Sequence, residues 1–107
     1  MNEIKIGDRV IGEKHPVFVI AEAGINHNGS FSIAKKLVNM AKNAGADCIK
    51  FQTHITEDEM IKTNILPGKI SKTPLWDIIK KCELTEQEEE KLKKYCKERK
   101  ILFLSTP

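Results

Sequence analysis

Polar side chains that could do chemistry stand at or near the ends of two apolar segments. The carboxylate of Glu22 follows the apolar run Val17–Ala21, and a second apolar segment, Cys48–His54, carries Lys50 and Gln52. A buried strand has little structural reason to end in an acid. Barrels and open sheets of the α/β class build active sites where successive strands end in polar residues. The pattern predicts such a site, and the alternative is two strands with solvated ends.

Lys50 indicates an anionic ligand. Side chains alternate along a strand, so Lys50, Gln52 and His54 share one side while Phe51 and Thr53 share the other. If Phe51 faces helices, Lys50 faces the interior, where an ammonium group is costly unless an anion pairs with it. A phosphate or carboxylate ligand would pair with it, and Gln52 could add hydrogen bonds. The alternative is a buried structural acid.

Glu22 indicates proton transfer, because a carboxylate partly removed from water can exchange protons near neutral pH. The structural alternative is an ion pair between Glu22 and Lys50 on neighbouring strands, and such a pair is compatible with catalysis. His27 and His54 could ligate a metal. Two histidines on different elements without a clear carboxylate partner are a weak metal signal.

The composition is that of an ordinary soluble protein. The chain has 107 residues and a small, dispersed net charge of +3, which does not indicate a nucleic-acid partner. Its apolar stretches are too short to cross a membrane, and its N-terminus lacks the apolar core of a signal peptide. The three cysteines form no CxxC pair. We therefore expect a cytoplasmic protein without a disulfide framework or zinc site.

The first half of the chain predicts a hairpin, a strand and a helix. Residues 1–14 contain two short apolar segments separated by a Gly-Asp turn, typical of a β-hairpin. The run Val17–Ala21 is continuously apolar, as in a strand covered on both faces. The next helix has Ser30 as its cap and Gly45 at its end. Its apolar stripe comprises Ile33, Ala34, Leu37, Val38, Ala41 and Ala44.

The second half predicts a strand, a long loop, two helices and a third strand. The strand covers about residues 47–52, and no strong periodicity follows over residues 53–73. A connection of that length is commonly a functional loop over a site. The remaining elements are a helix capped by Thr73 with Pro74 in its first turn, a helix from the capping box Thr85–Glu88 to about Lys100, and a strand over residues 101–104.

This order of elements indicates an α/β fold. Strands separated by helices imply a parallel sheet with right-handed crossovers. We interpret residues 1–14 as an N-terminal β-hairpin and residues 15–107 as the first three βα units of a (β/α)8 TIM barrel. A complete barrel needs ~250 residues. We therefore expect the chain to be a fragment, the truncated N-terminal part of a longer protein.

Four motifs resemble the sialic acid synthase family, which comprises N-acetylneuraminate synthases and their legionaminic and pseudaminic acid relatives. The motifs are Ala-Glu-Ala-Gly-Ile-Asn-His-Asn-Gly at 21–29, Lys-Phe-Gln-Thr-His at 50–54, Glu-Asp-Glu-Met at 57–60 and Leu-Ser-Thr-Pro at 104–107. They occur in the family's order and spacing. The resemblance extends over essentially the whole chain.

The resemblance implies a fold and an activity. Members of this family have a (β/α)8 barrel that follows a β-hairpin and precedes a small antifreeze-like domain, and they form homodimers. They condense phosphoenolpyruvate with N-acetylmannosamine or a related amino sugar. The products are a nine-carbon 2-keto acid and phosphate, and a divalent metal such as Mn²⁺ or Mg²⁺ assists. The metal's histidine ligands lie later in the family's barrel, so the resemblance implies no metal ligand in this chain.

The resemblance also implies roles for single residues. Glu22 takes the place of the family's active-site glutamate, near the sugar aldehyde, and is the candidate for proton transfer. Lys50 matches the lysine that holds phosphoenolpyruvate, and Gln52 and Thr106 match positions that hydrogen-bond the sugar. Lys69 stands where the family has an asparagine that touches the sugar. The identity of the amino sugar therefore stays open.

Two alternatives stand beside this reading of the sequence. One is another synthase that condenses phosphoenolpyruvate with an aldose, giving an eight-carbon or seven-carbon keto acid, although such enzymes should show other motifs after the first strand. The other is a non-catalytic, truncated barrel fragment. Within the family, the motifs of the first two loops favour the neuraminate or legionaminate branch over the pseudaminate synthases.

Overall fold

The computed structural model describes residues 2–107. The strands are β1 (Ile4–Ile6), β2 (Arg9–Ile11), β3 (Ile20–Gly24), β4 (Cys48–Gln52) and β5 (Leu102–Thr106). The helices are α1 (Phe31–Asn43), α2 (Thr56–Glu59), α3 (Leu75–Lys81) and α4 (Glu86–Glu98). The strands β1 and β2 form an antiparallel hairpin, and β3, β4 and β5 form a parallel sheet in chain order. The predicted α/β class is confirmed.

The hairpin is tied to the amino-terminal end of the parallel sheet through Asp47. Arg9 of β2 forms an ion pair with one carboxylate oxygen of Asp47. The other oxygen accepts a hydrogen bond from the backbone N–H of Val19 at 2.8 Å. One side chain thus links β2, the entry to β3 and the entry to β4. The division of the chain into units 1–14 and 15–107 stays a prediction.

Helices cover one face of the parallel sheet. The core on that face comprises Ala23, Ala34, Val38, Ala41, Ile49, Phe51, Leu92, Cys96 and Ile101. On the opposite face, Ile20 is 46% exposed and Leu104 is 42% exposed. The expectation of a first strand covered on both faces is therefore wrong for residues 2–107. The reason is that both crossovers place their helices on the same side of the sheet. The uncovered side is called the open face below.

The first strand of the parallel sheet lies three residues later than predicted. Val17 is 82% exposed, and the N–H of Val19 bonds to the carboxylate of Asp47 rather than to a strand. Regular pairing therefore begins at Ile20 and ends at Gly24, where φ is +54° and the register with β4 shifts. As a result, Glu22 lies within the strand and not in the loop after it.

The caps of α1 and α4 are as predicted, whereas the buried stripe of α1 is narrower than predicted. The Ser30 hydroxyl accepts the Ile33 N–H, and Gly45 closes α1 with φ of +87°. The capping box of Thr85 and Glu88 is present. The stripe of α1 is centred on three fully packed residues, and Ile33 remains 38% exposed. These three buried residues are Ala34, Val38 and Ala41.

The later element boundaries shift by one or two residues. Pro74, not Thr73, is the cap of α3, because the Pro74 carbonyl accepts the first helical hydrogen bond, from the Ile78 N–H at 3.1 Å. Helix α4 ends at Glu98, and Lys100 then adopts a left-handed conformation with φ of +57°. Strand β5 continues to Thr106 instead of ending at residue 104, because its pairing with β4 runs as far as Gln52.

The connection between α2 and α3 contains no regular element over residues 61–74, in agreement with the predicted long loop. Its apolar side chains are exposed, with Ile61 at 85% and Ile70 at 91%. The loop is anchored near its end by a backbone hydrogen bond of 3.0 Å from Leu75 N–H to the carbonyl of Ile65. Its predicted role over a site stays a prediction.

All three cysteines are buried free thiols. Burial raises the pKa values of Cys48 and Cys82. Burial, with a smaller contribution from Cys48, raises the pKa of Cys96 to about 12. These thiols therefore act as small apolar groups in the core. Within residues 2–107, no helix has the length and apolar character needed to cross a membrane.

Candidate functional site

The parallel register brings the four predicted site residues onto the open face. Glu22 of β3 pairs in register with Lys50 of β4, and Lys50 with Leu104 of β5. One pleat further toward the carboxyl end, Gln52 is in register with Thr106. Residues two apart on a strand point to the same side, so these side chains share the face that the helices leave free. The site lies at the carboxyl end of the sheet.

Glu22 and Lys50 form an ion pair across β3 and β4. The distance from Lys50 Nζ to Glu22 Oε2 is 3.5 Å, and the side chains are 30% and 56% exposed respectively. The structural alternative considered for Glu22 is therefore present, whereas the acid that pairs with Lys50 is exposed and not buried. The partial desolvation expected for Glu22 is not, because nothing in residues 2–107 covers the carboxylate. The pair is a cation and a carboxylate side by side, accessible to a ligand.

Gln52 is held by a histidine that sequence reasoning considered only as a metal ligand. His54 Nε2 lies 3.1 Å from Gln52 Oε1, and His54 Nδ1 lies 2.6 Å from Glu59 Oε1. Glu59 belongs to α2, so the ring connects the site strand to the next helix. The spacing in Lys-Phe-Gln-Thr-His places His54 on the side of Gln52, but nothing in the sequence pairs it with Glu59.

Thr106 lies at the end of β5, half-buried beside Gln52. Its backbone carbonyl accepts the Thr53 N–H at 2.8 Å, which continues the ladder between the two strands. The threonine hydroxyl is thereby placed at the same edge as the amide of Gln52. The structure brings Glu22, Lys50, Gln52 and Thr106 together, and their roles stay predictions.

A second polar network lies behind the sheet and was missed from the sequence. Thr53 Oγ1 donates to Glu89 Oε2 of α4 at 3.0 Å, and the Ser105 hydroxyl lies 2.6 Å from the same Thr53 oxygen. Burial raises the pKa of Glu89, while the hydrogen bond from Thr53 opposes that rise. Because Thr53 and Ser105 alternate with the open-face residues, they fix the strand ends from the helix side.

A third group, also missed, attaches α2 to the segment between α3 and α4. The backbone N–H and hydroxyl of Thr56 donate to Glu83 Oε1 at 2.7 and 2.5 Å, and Lys80 donates to Glu83 Oε2 at 3.0 Å. Burial raises the pKa of Glu83, but these hydrogen bonds outweigh it and lower the pKa to about 2. The charged carboxylate is therefore the form that holds Thr56, which is fully buried.

His27 is a structural residue in this fold. Its side chain is buried, and its Nδ1 accepts the Gly29 N–H at 3.0 Å, which closes the turn before α1. Burial lowers the pKa of His27, although Glu88 nearby opposes the shift. Gly29 itself packs so closely that a Cβ there would meet the Lys81 carbonyl oxygen. A larger residue at this position would displace the turn.

The described residues do not fit a metal ion. Within residues 2–107, no three His, Cys, Asp or Glu side chains are grouped so that they could hold one. The nitrogens that His27 and His54 present to the chain are engaged by Gly29, Gln52 and Glu59. The sequence hypothesis that these two histidines ligate a metal thus finds no support in the geometry.

Known proteins resemble this chain over nearly its full length. An uncharacterized protein of Methanocaldococcus jannaschii is 46% identical over 107 residues, which are all of this chain and 29% of that protein. The N,N'-diacetyllegionaminic acid synthase of Legionella pneumophila is 35% identical over 101 residues, which are 89% of this chain and 28% of that enzyme. The chain thus spans about three tenths of the length of these relatives.

A solved structure is similar to this chain in its overall fold. The crystal structure of N-acetylneuraminic acid (sialic acid) synthetase from Leptospira borgpetersenii serovar Hardjo-bovis, in complex with citrate, superposes with a TM-score of 0.79 at 34% identity. The match covers 99% of this chain and 34% of that one. The family model described as the NeuB family matches residues 37–107, which include β4, β5 and three of the four predicted site residues. The chain therefore belongs to the NeuB family.

Proposed function

We propose that the full-length protein condenses phosphoenolpyruvate and a water molecule with an N-acetylated amino sugar, N-acetylmannosamine or an analogue, to a nine-carbon 2-keto acid of the sialic or legionaminic type, with release of phosphate. The observation that carries the proposal is the exposed pair of Lys50 and Glu22 on the open face, 3.5 Å apart and next to Gln52 and Thr106. A condensation of an anionic substrate with an aldehyde needs a cation and a proton carrier at one place.

In this proposal Lys50 binds the anionic substrate. Its side chain is 30% exposed, and its ammonium group has one carboxylate partner among residues 2–107, so it can add a phosphate or carboxylate oxygen to its contacts. When it does, the negative charge of Glu22 is less well compensated. Glu22 is then placed to take up or give a proton where the aldehyde oxygen of the sugar becomes a hydroxyl group.

Gln52 and Thr106 orient the sugar. They are in register on neighbouring strands, and both carry hydrogen-bonding groups at the carboxyl edge of the sheet. Orientation by fixed hydrogen bonds converts a reaction between two bound substrates into an effectively unimolecular step. The identity of the amino sugar depends on further contacts. Lys69 lies in the loop between α2 and α3 and is one candidate for them.

We further infer that additional strands of the full-length protein close the sheet into a (β/α)8 barrel over the open face, and that the protein is a homodimer. The supporting observations are the exposed Ile20 and Leu104 and the length of the relatives. A divalent metal, Mn²⁺ or Mg²⁺, remains part of the proposal for the whole protein. It would be held by residues outside this chain.

Phosphate release tests the proposal. The full-length protein is incubated with phosphoenolpyruvate, Mn²⁺ and one acceptor at a time: N-acetylmannosamine, arabinose 5-phosphate or erythrose 4-phosphate. We expect phosphate and a 2-keto acid only with the N-acetylated amino sugar, and loss of both when Mn²⁺ is replaced by a chelator. Phosphate release with either sugar phosphate instead would identify a different phosphoenolpyruvate–aldose synthase. Absence of release with every acceptor would leave the non-catalytic alternative.

A further inference from the structure

The ring of His54 holds one end of the Gln52 side chain. Its Nε2 lies 3.1 Å from Gln52 Oε1, and its Nδ1 lies 2.6 Å from Glu59 Oε1. Gln52 Oε1 can only accept, so the ring donates to it from Nε2. The His54 side chain is 16% exposed, which restricts other positions of the ring. The amide oxygen of Gln52 is therefore engaged on the side of α2.

The other end of the amide points toward Glu22. A Cβ built at Gly24 would lie 3.5 Å from Gln52 Nε2 and 4.0 Å from Glu22 Oε1, so both atoms border the space above Gly24. Gly24 also has φ of +54°, a conformation that side-chain-bearing residues rarely adopt. The absence of a side chain there keeps the space between the amide nitrogen and the carboxylate open.

We propose that His54 is a positioning residue that fixes the Gln52 amide with its NH₂ group beside Glu22, where it donates to an acceptor oxygen of the amino sugar. The inference rests on the proposed function, which places the sugar at Gln52. A free glutamine amide can rotate and present either its oxygen or its nitrogen. The ring removes that ambiguity, and Glu59 holds the ring through α2, which Thr56 and Glu83 attach to the rest of the fold.

A double-mutant cycle in the full-length protein tests this coupling. The variants are His54→Phe, Gln52→Ala and the double variant, each assayed for KM of N-acetylmannosamine, KM of phosphoenolpyruvate and kcat. We expect each single variant to raise KM for the sugar by up to about tenfold, the size of one oriented hydrogen bond. KM for phosphoenolpyruvate should stay unchanged. The double variant should match Gln52→Ala, because His54 acts only through Gln52.

The matched control is His15→Phe, because His15 also pairs with a glutamate, Glu3, at 2.8 Å but lies away from the open face. It should leave both KM values unchanged. Additive effects of His54→Phe and Gln52→Ala, or an unchanged KM for the sugar in either single variant, would overturn the proposal. His54→Asn serves as a second variant with a shorter side chain. If neither His54 variant folds, the ring is structural and the proposal is also overturned.

A measurement without substrate separates this inference from the proposed function. In ¹⁵N NMR spectra of glutamine-labelled protein, the Gln52 side-chain amide is assigned by its disappearance in Gln52→Ala. His54→Phe should move that resonance, and His15→Phe should not. If the wild-type protein releases no phosphate with N-acetylmannosamine or an N-acetylated analogue, the proposed function fails, and this shift still reports whether His54 holds the amide. An unmoved resonance would contradict the held geometry.

Discussion

Lys50 and Glu22 pair with each other when no substrate is bound. Substitution of either residue should therefore affect the reaction more than the stability of the fold. Each is the other's ionic contact across β3 and β4, at 3.5 Å. An exposed ion pair contributes roughly 0–1 kcal/mol to stability, so neither substitution should unfold the protein. Effects on activity can therefore be read as effects on the reaction.

Lys50→Ala should weaken phosphoenolpyruvate binding. A charge-assisted contact with an anion contributes ~1.5–3 kcal/mol, which corresponds to a rise of roughly 10- to 100-fold in KM for phosphoenolpyruvate. Steady-state kinetics of the full-length protein give this value. Lys36→Ala, on the exposed side of α1, is the control and should match the wild type. A change in KM for the sugar alone would assign Lys50 to the other substrate.

Glu22→Gln should lower kcat by ~10²-fold or more, because glutamine keeps the shape of the side chain but cannot carry a proton. KM for phosphoenolpyruvate should not rise, since the substitution removes a negative charge beside Lys50. Turnover and melting temperature are measured together, with the exposed Glu13→Gln as the control. Near-normal turnover would mean that the carboxylate is structural.

Among the helices and strands, the sequence predicts the helix caps, which depend on residues close in the chain. The strand boundaries depend on partners distant in sequence. Ser30 and the capping box at Thr85 act within three residues, so the sequence shows them. The start of β3 depends on the Asp47 carboxylate, far along the chain, which takes the N–H of Val19. No periodicity contains that information. The predicted strand is therefore displaced while its existence and direction are right.

The same distinction applies to the site. Alternation along strands and parallel pairing place Glu22 and Lys50 at one edge, so the sequence predicts their proximity. The contacts of Glu59 with His54 and of Glu83 with Thr56 depend on the path of the chain after β4. That path contains an irregular loop, and residue types alone do not define where it returns.

The attachment of α2 through Glu83 predicts an acid-sensitive element. The pKa of Glu83 falls from its ordinary 4.5 to about 2 in the folded state, so the ionised carboxylate stabilises the fold above pH 4.5. That stabilisation is lost as the pH falls from 4.5 toward 2. Urea unfolding of the full-length protein at about pH 7, 4 and 3 measures the decrease in the free energy of unfolding. Glu83→Gln should show a smaller decrease than the wild type.

The control for this experiment is Glu90→Gln, which replaces an exposed carboxylate within α4. It should keep the acid sensitivity of the wild type. Equal acid sensitivity in Glu83→Gln and the wild type would show that Glu83 does not contribute to stability in this range. In that case Thr56 is held by its packing, since its side chain is fully buried.

For the molecule as a whole, the parallel sheet of residues 2–107 has two outer strands, β3 and β5, without a further partner in the described chain. Unpaired sheet edges offer hydrogen-bonding groups to other chains. The open face adds exposed apolar side chains, among them Ile20 and Leu104. Ile49 does not contribute to this surface, because it faces the helices and is 1% exposed.

A polypeptide of residues 1–107 alone should therefore neither catalyse the condensation nor behave as a stable monomer. Exposed edges and apolar surface favour association, and the remaining contacts to substrate and metal would be missing. Size-exclusion chromatography with light scattering measures the molar mass, and a phosphate assay measures activity. A sharp monomer peak with a cooperative melt, or measurable keto-acid formation, would instead show a self-sufficient domain.

The burial of all three thiols makes this segment suited to site-directed labelling. Thiol reagents attack the thiolate, and burial with raised pKa values keeps Cys48, Cys82 and Cys96 protonated and out of reach. A single cysteine introduced at the exposed Ile70 would be the reactive one among residues 2–107. A fluorophore attached there would report whether the loop between α2 and α3 moves when substrate is added, without prior removal of Cys48, Cys82 or Cys96.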